Sequence, residues 1–407
     1  MNDKPKSAPI KWYLRHKEQI LRVLDSGMSA VCALTPQKKL ILLESKPDAC
    51  DNTYELFRCF IQKGINTKYE IVWLADEPEK IRRLNVSNVS AVPIHPKTLR
   101  EKLHLRALLS RAAVIVGSHR FVFPNVKRKG QCFVYLDHGS PLKDCKNIYK
   151  NSVTSDTFYV SQSDFFTESV EDQYNITPDR ILPLGLPRND QLYREYDSIR
   201  SLIGDPGQYK KIVIWAPTFR YHESKERVDC HSFMPLGIPV FYTEEELRRF
   251  NEYLAANDTL VILKPHPAQN IELIVNLHCS HIRIVYSSEL EENGIQTNEL
   301  LAQTDALITD YSSIYYDYLQ LDRPIALTLD DYEQYKAEMG FVFENPLDVL
   351  KGVYVREPGD MYAFIDSLLA GRDEAAEERR AIARRIDPYG DGGATKRVYD
   401  FIFPMDF

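Results

Sequence analysis

Glycine is scarce in this chain, at 17 of 407 residues, and neither G-x-G-x-x-G nor G-x-x-x-x-G-K-[ST] occurs. Any bound phosphate must then rest on helix N-termini and on Arg, Lys, His, Ser or Thr side chains, not on a glycine cradle. No D-x-D triplet occurs, so the usual carboxylate clamp for a divalent metal is missing and a metal-free site is expected. The seven cysteines form no C-x-x-C pair, so neither a zinc site nor a disulfide framework is indicated, and a reducing cytosol fits. No apolar run approaches the ~20 residues of a membrane span. The polar N-terminus does not read as a signal peptide. A net charge of -7 argues against a nucleic-acid partner, which selects basic domains.

What is present is an ordinary globular composition, 44% hydrophobic and 27% charged. The length suggests two domains of about 150–200 residues. Short apolar runs such as Leu40–Leu43, Ala113–Val116, Cys132–Tyr135, Lys211–Trp215 and Ala306–Ile308 alternate with helical patterns such as Thr53–Lys63 and Glu244–Ala256. That alternation predicts an α/β fold of two doubly wound, Rossmann-like units with a cleft between them. The break falls around Leu192–Gly207, giving an expected acceptor-side domain over 1–195 and a nucleotide-binding domain over 205–385. Segment 386–407 is expected to return to the first domain, and Met361–Leu369 and Asp373–Arg385 are candidates for the same crossing. Residues 221–242 are polar and aperiodic, which suits a lid or acceptor contact as well as a plain surface excursion.

Chemistry concentrates in loops that follow predicted strands. Thr309-Asp310-Tyr311-Ser312-Ser313 ends one strand and opens a helix over Ile314–Leu321. Its free N–H groups and the hydroxyls of Ser312 and Ser313 suit a diphosphate, with Asp317 one turn on for a ribose diol. Asp137-His138-Gly139-Ser140-Pro141 presents a histidine at a strand end. A neutral imidazole there can take a proton from an attacking hydroxyl, worth about 10²–10⁴-fold in rate. Arg188, in Gly185-Leu186-Pro187-Arg188-Asn189-Asp190, offers a fork for phosphate oxygens, unless the motif only starts a helix with Asn189 or Asp190 as cap. Ala216-Pro217-Thr218-Phe219-Arg220 offers the Thr218 hydroxyl and the Arg220 cation, the latter equally able to pair with a structural acid. Lys264-Pro265-His266-Pro267 holds Lys264 and His266 on a stiff loop suited to a leaving pyrophosphate.

Taken together, these motifs closely resemble the CDP-glycerol glycerophosphotransferase family, whose members prime and extend teichoic acids. The resemblance runs from Leu40 to about Phe343 and includes Leu43-Glu44-Ser45, Asp51-Asn52 and Asp322-Arg323-Pro324 besides the loops above. It implies the two-domain GT-B fold. It also implies His138 as general base within a substrate loop reaching Pro141, and His266 as a second essential histidine near the diphosphate. Arg188, Pro217, Thr218, Lys264, Pro265, Ser312, Ser313 and Asp317 would be CDP-glycerol contacts. Pro217 and Pro265 rest on the resemblance alone. Where the family usually has Trp and Thr around this His-Gly pair, this chain has Asp137 and Ser140, so Asp137 either orients His138 or alters acceptor choice.

The resemblance further implies CDP-glycerol as donor with no cofactor, and a polyprenyl-diphosphate-linked acceptor. The expected location is cytoplasmic, peripheral on the inner face of a bacterial membrane. Basic residues around Lys97–Arg111, His119, Arg120 and Lys127–Lys129, with Lys11, Arg15, Lys17 and Arg22, suit such a surface, as they suit plain solvated faces. The alternatives are another CDP-polyol such as CDP-ribitol, a GT-B-like nucleotide-sugar epimerase, and a nucleotide-binding regulator without turnover.

Overall fold

The computed structural model describes residues 36–404, except 121, 123–126, 151, 155, 221–228, 267, 268 and 270. The N-terminal basic segment and the first part of the 221–242 segment therefore lie outside the described residues.

Two all-parallel sheets form the frame. The first comprises β1 (Leu40–Glu44), β2 (Glu70–Ala75), β3 (Val89–Pro93), β4 (Val114–Gly117), β5 (Cys132–Tyr135), β6 (Phe158–Ser161) and β7 (Ile181–Pro183), in the order β3-β2-β1-β4-β5-β6-β7. The second comprises β8 (Lys211–Ala216), β9 (Thr259–Leu263), β10 (Ile282–Ile284), β11 (Ala306–Thr309), β12 (Ile325–Thr328) and β13 (Val353–Val355), in the order β10-β9-β8-β11-β12-β13. The central strands are unbroken runs of Leu, Ile and Val because helices cover both faces, and β1 is buried at every position. In each sheet the strand order reverses once, between β1 and β4 and between β8 and β11. Those two switch points open the crevices where α/β sheets bind ligands.

The C-terminal segments divide three ways. The helix Pro358–Leu369 stays on the second sheet, burying Met361, Phe364, Ile365 and Leu368 in one cluster with Val213, Trp215 and Val355. The expectation that it crosses back is therefore not met; its apolar face matches the near layer. The helix Ala376–Ile386 straddles the halves. Arg379 pairs with Asp322 at 2.8 Å on one side, while Ser163 Oγ donates to the Ile386 carbonyl at 2.6 Å on the other. The helix Ala394–Ile402 returns to the first sheet, burying Val398, Tyr399 and Ile402 with Ile41 and Phe60. Asp190 receives it, accepting from the Ala394 and Thr395 N–H groups at 2.8 Å each. Gly185 lies beneath the same helix start, where a Cβ would come 2.9 Å from that of Ala394.

The halves are stitched directly. Lys143 bridges Phe341 in antiparallel fashion, and the Val342 N–H donates to the Leu142 carbonyl at 3.0 Å. The loop after β5 thus belongs physically to both units.

Candidate active site

A cavity of about 300 Å³ opens between the carboxyl ends of the two sheets. The first half supplies Asp137, His138, Gly139, Ser140 and Pro141 to its wall. The second half supplies Pro217 and Thr218 after β8, Lys264, Pro265 and His266 after β9, and Ser312 and Ser313 after β11. Three loops predicted separately from strand ends therefore meet the histidine loop, because they flank the second switch point and the next strand along.

His138 sits on a tight turn. Asp137 adopts φ +52°, a left-handed backbone that Asp tolerates better than most residues. Its Oδ1 accepts from the His138 N–H at 2.7 Å and lies 3.0 Å from His138 Nδ1. Its Oδ2 accepts from Tyr159 Oη and, at 3.1 Å, from Tyr174 Oη, so the carboxylate cannot swing away. Burial pulls the His138 pKa down, but Asp137 and Asp51 together outweigh it and hold the imidazole above its ordinary 6.5. For Asp137, burial favours the neutral acid, yet His138 and the Tyr159 hydroxyl keep the carboxyl below its ordinary value.

Gly139 has no room for a side chain. Its φ is +153°, and a Cβ would fall 2.3 Å from Ser313 Oγ and 3.2 Å from Arg188 Nη2. Glycine is what allows the His138 loop to touch the Ser-Ser segment of the opposite half.

Lys264 reaches the cavity without an acid partner among the described residues, and burial alone pushes its pKa down. A desolvated, uncompensated ammonium is a site for an anion. His266 lies beside it, its ring 5.4 Å from that of Phe219.

Three residues expected in the site stand elsewhere. Arg188 does not line the cavity. It lies half-buried behind the His138 loop, where it pairs with Asp51 at 3.1 Å and Asp317 at 2.8 Å and donates to the His138 carbonyl at 2.5 Å. Two carboxylates have claimed the fork that was expected on phosphate. Asp317 is buried, and burial, partly offset by Arg188, lifts its pKa to about 6. It faces the other half of the molecule, not an open ribose pocket. Arg220 is enclosed by Asp310 at 2.9 Å and Asp331 at 2.7 Å and lies over the rings of Tyr311 and Tyr335, which is the structural-acid alternative.

Two hydroxyls are also committed locally. Thr218 donates from N–H and Oγ1 to Asp310, at 2.9 and 2.5 Å, tying together the two sides of the second switch point. Ser140 Oγ donates to Gln162 Oε1 at 2.7 Å. Both side chains shape the wall instead of offering a free donor.

Sequence reasoning missed or misplaced several residues. Asn52, noted only as part of a motif, clamps the His138 loop by donating to the Asp137 carbonyl at 2.9 Å and accepting from the Arg188 N–H at 2.9 Å. His119, taken as part of a basic surface, stacks on His138 with ring centroids 4.7 Å apart. Its position just after β4, at the first switch point, was the available signal. Tyr149, Gln173 and Tyr174 also line the cavity and carried no motif, while Lys143, at the end of the histidine-loop motif, lines it without having been assigned a role.

The family model for CDP-glycerol:poly(glycerophosphate) glycerophosphotransferases matches residues 28–404. The chain belongs to this family of transferases. A teichoic acid poly(glycerol phosphate) polymerase of Staphylococcus epidermidis is 26% identical over 357 residues, which are 82% of this chain and 46% of that protein. A teichoic acid glycerol-phosphate primase of Bacillus subtilis is 26% identical over 337 residues, 77% of this chain and 80% of that one. The chain thus spans about half the length of the first relative and most of the second. In structure it resembles the wall teichoic acid polymerase TagF, with a TM-score of 0.69 at 21% identity over 98% of both chains. The shared architecture is the GT-B type, as the motifs implied. A teichoic acid ribitol-phosphate primase of Bacillus spizizenii is also similar, 28% identical over 233 residues, 55% of this chain and 53% of that one.

Proposed function

We propose that this protein transfers glycerol phosphate from CDP-glycerol to a hydroxyl of a polyprenyl-diphosphate-linked acceptor, releasing CMP, in teichoic acid synthesis. The observation that carries the reading is one cavity shared by His138 from the first half and Lys264, His266, Ser312 and Ser313 from the second.

In the proposed step the acceptor oxygen attacks the phosphorus that bears glycerol. A new P–O bond forms, the bridging P–O bond to CMP breaks, and CMP leaves with the bonding electrons. The acceptor proton passes to His138 Nε2, since Nδ1 faces Asp137. Lys264 and His266 offset the charge that builds on the departing CMP. Ser312 and Ser313 donate to the diphosphate oxygens. Such transfer depends mainly on positioning and electrostatics, which these residue types supply. Arg188 acts at one remove, holding the His138 carbonyl and linking Asp51 to Asp317. Pro217 and Pro265 stiffen the walls that receive the donor.

The acceptor would meet the enzyme at the inner membrane face. Among the described residues no helix is long and apolar enough to cross a membrane. The helix Leu99–Arg111 exposes Leu99 and Leu103 among Arg100 and Lys102, a pairing that suits peripheral contact with anionic lipid.

The test is mass spectrometry of products from CDP-glycerol and CDP-ribitol with a short-lipid acceptor carried in anionic vesicles. The expected result is one glycerol phosphate added to the acceptor per CMP released, with turnover falling as salt rises. Transfer from CDP-ribitol alone would replace the donor assignment. Nucleotide consumption with no acceptor present would point to the epimerase or hydrolase reading. A UDP-N-acetylglucosamine 2-epimerase shares the fold at a TM-score of 0.52 and 12% identity, so fold alone does not separate the two.

A further inference from the structure

The cavity wall accounts for His138 and Asp137, but a second imidazole lies just behind the first and has no part in the step above. His119 follows β4 in the turn Gly117-Ser118-His119-Arg120. Glu44, buried at the end of β1, accepts from the Ser118, His119 and Arg120 N–H groups at 3.2, 3.1 and 3.0 Å. Gly117 keeps that turn close, since a Cβ there would stand 3.3 Å from Glu44 Oε2 and 3.1 Å from the Arg120 carbonyl. The backbone carrying His119 is therefore fixed across the switch point itself.

The ring is fixed as well. The Lys46 N–H donates to His119 Nδ1 at 3.3 Å, and Ser118 Oγ lies 3.0 Å from the same nitrogen. A nitrogen that accepts from an amide carries no proton, so the ring proton of the neutral form sits on Nε2. That atom points toward Asp51 Oδ2 at 3.7 Å. Asp51 in turn pairs with Arg188, which holds the His138 carbonyl. The two imidazoles lie nearly parallel, at 22° and 4.7 Å between centroids.

We infer that His119 is a positioning residue for the general base: its anchored ring is the platform that keeps the His138 imidazole in the plane where Nδ1 meets Asp137 and Nε2 meets the acceptor hydroxyl. With both of its nitrogens turned to Lys46 and Asp51, His119 is not itself placed to take the acceptor proton. Burial, only partly offset by Asp51, pushes its pKa down to about 4. The stack therefore carries a single positive charge when His138 is protonated, and Asp137 and Asp51 face that charge. A ring left without its platform can rotate about Cα–Cβ and Cβ–Cγ, and misplacement of a reacting group by about 1 Å can cost on the order of 10²-fold in rate.

The inference rests on the proposed role of His138, and the experiment separates the two. His119→Gln keeps size and polarity but loses the flat ring; His119→Phe keeps the ring but loses both nitrogens. Turnover, KM for CDP-glycerol and melting temperature are measured for each, with His138→Ala alongside. The expected result is a fall in kcat of about 10-fold or more for His119→Gln at unchanged donor KM, with His119→Phe recovering most of the loss. If His119→Gln keeps wild-type kcat, or His119→Phe is as slow as His119→Gln, the platform role is overturned. If His138→Ala itself turns over normally, the base assignment fails first, whatever His119 does.

Discussion

His138 owes its character to two carboxylates that reach it from different elements. Burial alone would lower its pKa, but Asp137, which precedes it in the chain, and Asp51, which opens the helix Asp51–Gln62, together hold it above 6.5. The sign of the pH dependence follows. With His138 as the proposed base, transfer would need the neutral ring, and a raised pKa favours the charged one. The acid limb of kcat/KM should therefore fall with an apparent pKa above 6.5. Asp137→Asn removes a negative charge that favours imidazolium, so the limb should move to lower pH while kcat drops as the ring loses its guide. A limb that stays in place after Asp137→Asn would show that Asp137 does not set the protonation of the base. At this scale the sequence disclosed residue types but not partners. Arg188, Arg220 and Asp317 all had the right chemistry for a nucleotide, and each proved to be engaged by an opposite charge far along the chain. A linear reading carries no information on which acid folds against which guanidinium.

The segment Gly185–Asp190 shows what an element can conceal. Its local pattern predicted either a phosphate contact or the cap of its own helix. The residues instead lead into a 3₁₀ stretch over Pro187–Tyr193, and Asp190 caps a helix more than 200 residues away. Removing an N-terminal cap costs about 0.5–2 kcal/mol. Asp190→Ala should therefore lower the melting temperature by a few degrees while leaving donor affinity unchanged, as read by calorimetry and nucleotide titration. An unshifted melting temperature would show that the helix Ala394–Ile402 docks without this cap. Most strands legible in the sequence were the buried central ones, whose apolar runs have no other explanation, and the edge strands β7 and β10 were legible too. The two that escaped notice, β3 and β13, are the remaining sheet edges, with mixed burial and short or alternating patterns. The helix Leu99–Arg111 escaped because its buried face is narrow, and its capping box, Thr98 with Glu101, was the one local sign of its start.

On the scale of the whole molecule, the candidate site exists because two sheets of the same winding turn their carboxyl ends toward one another. The separate loops were legible because each follows a buried strand and carries chemistry that a core strand does not need. Their convergence was an inference from fold class, and the contact of Gly139 with Ser313 is its physical expression. In the proposed step the labour is divided: the first half would move the proton, and the second half would grip the nucleotide. The most direct test compares His138→Ala with Lys264→Ala in two assays, CDP-glycerol binding by calorimetry and glycerol phosphate transfer to a lipid-linked acceptor. The account predicts that His138→Ala loses at least about 10²-fold in transfer while binding donor as the wild type does, and that Lys264→Ala binds donor more weakly. Near-normal transfer by His138→Ala, or a loss of donor binding there as large as in Lys264→Ala, would contradict it.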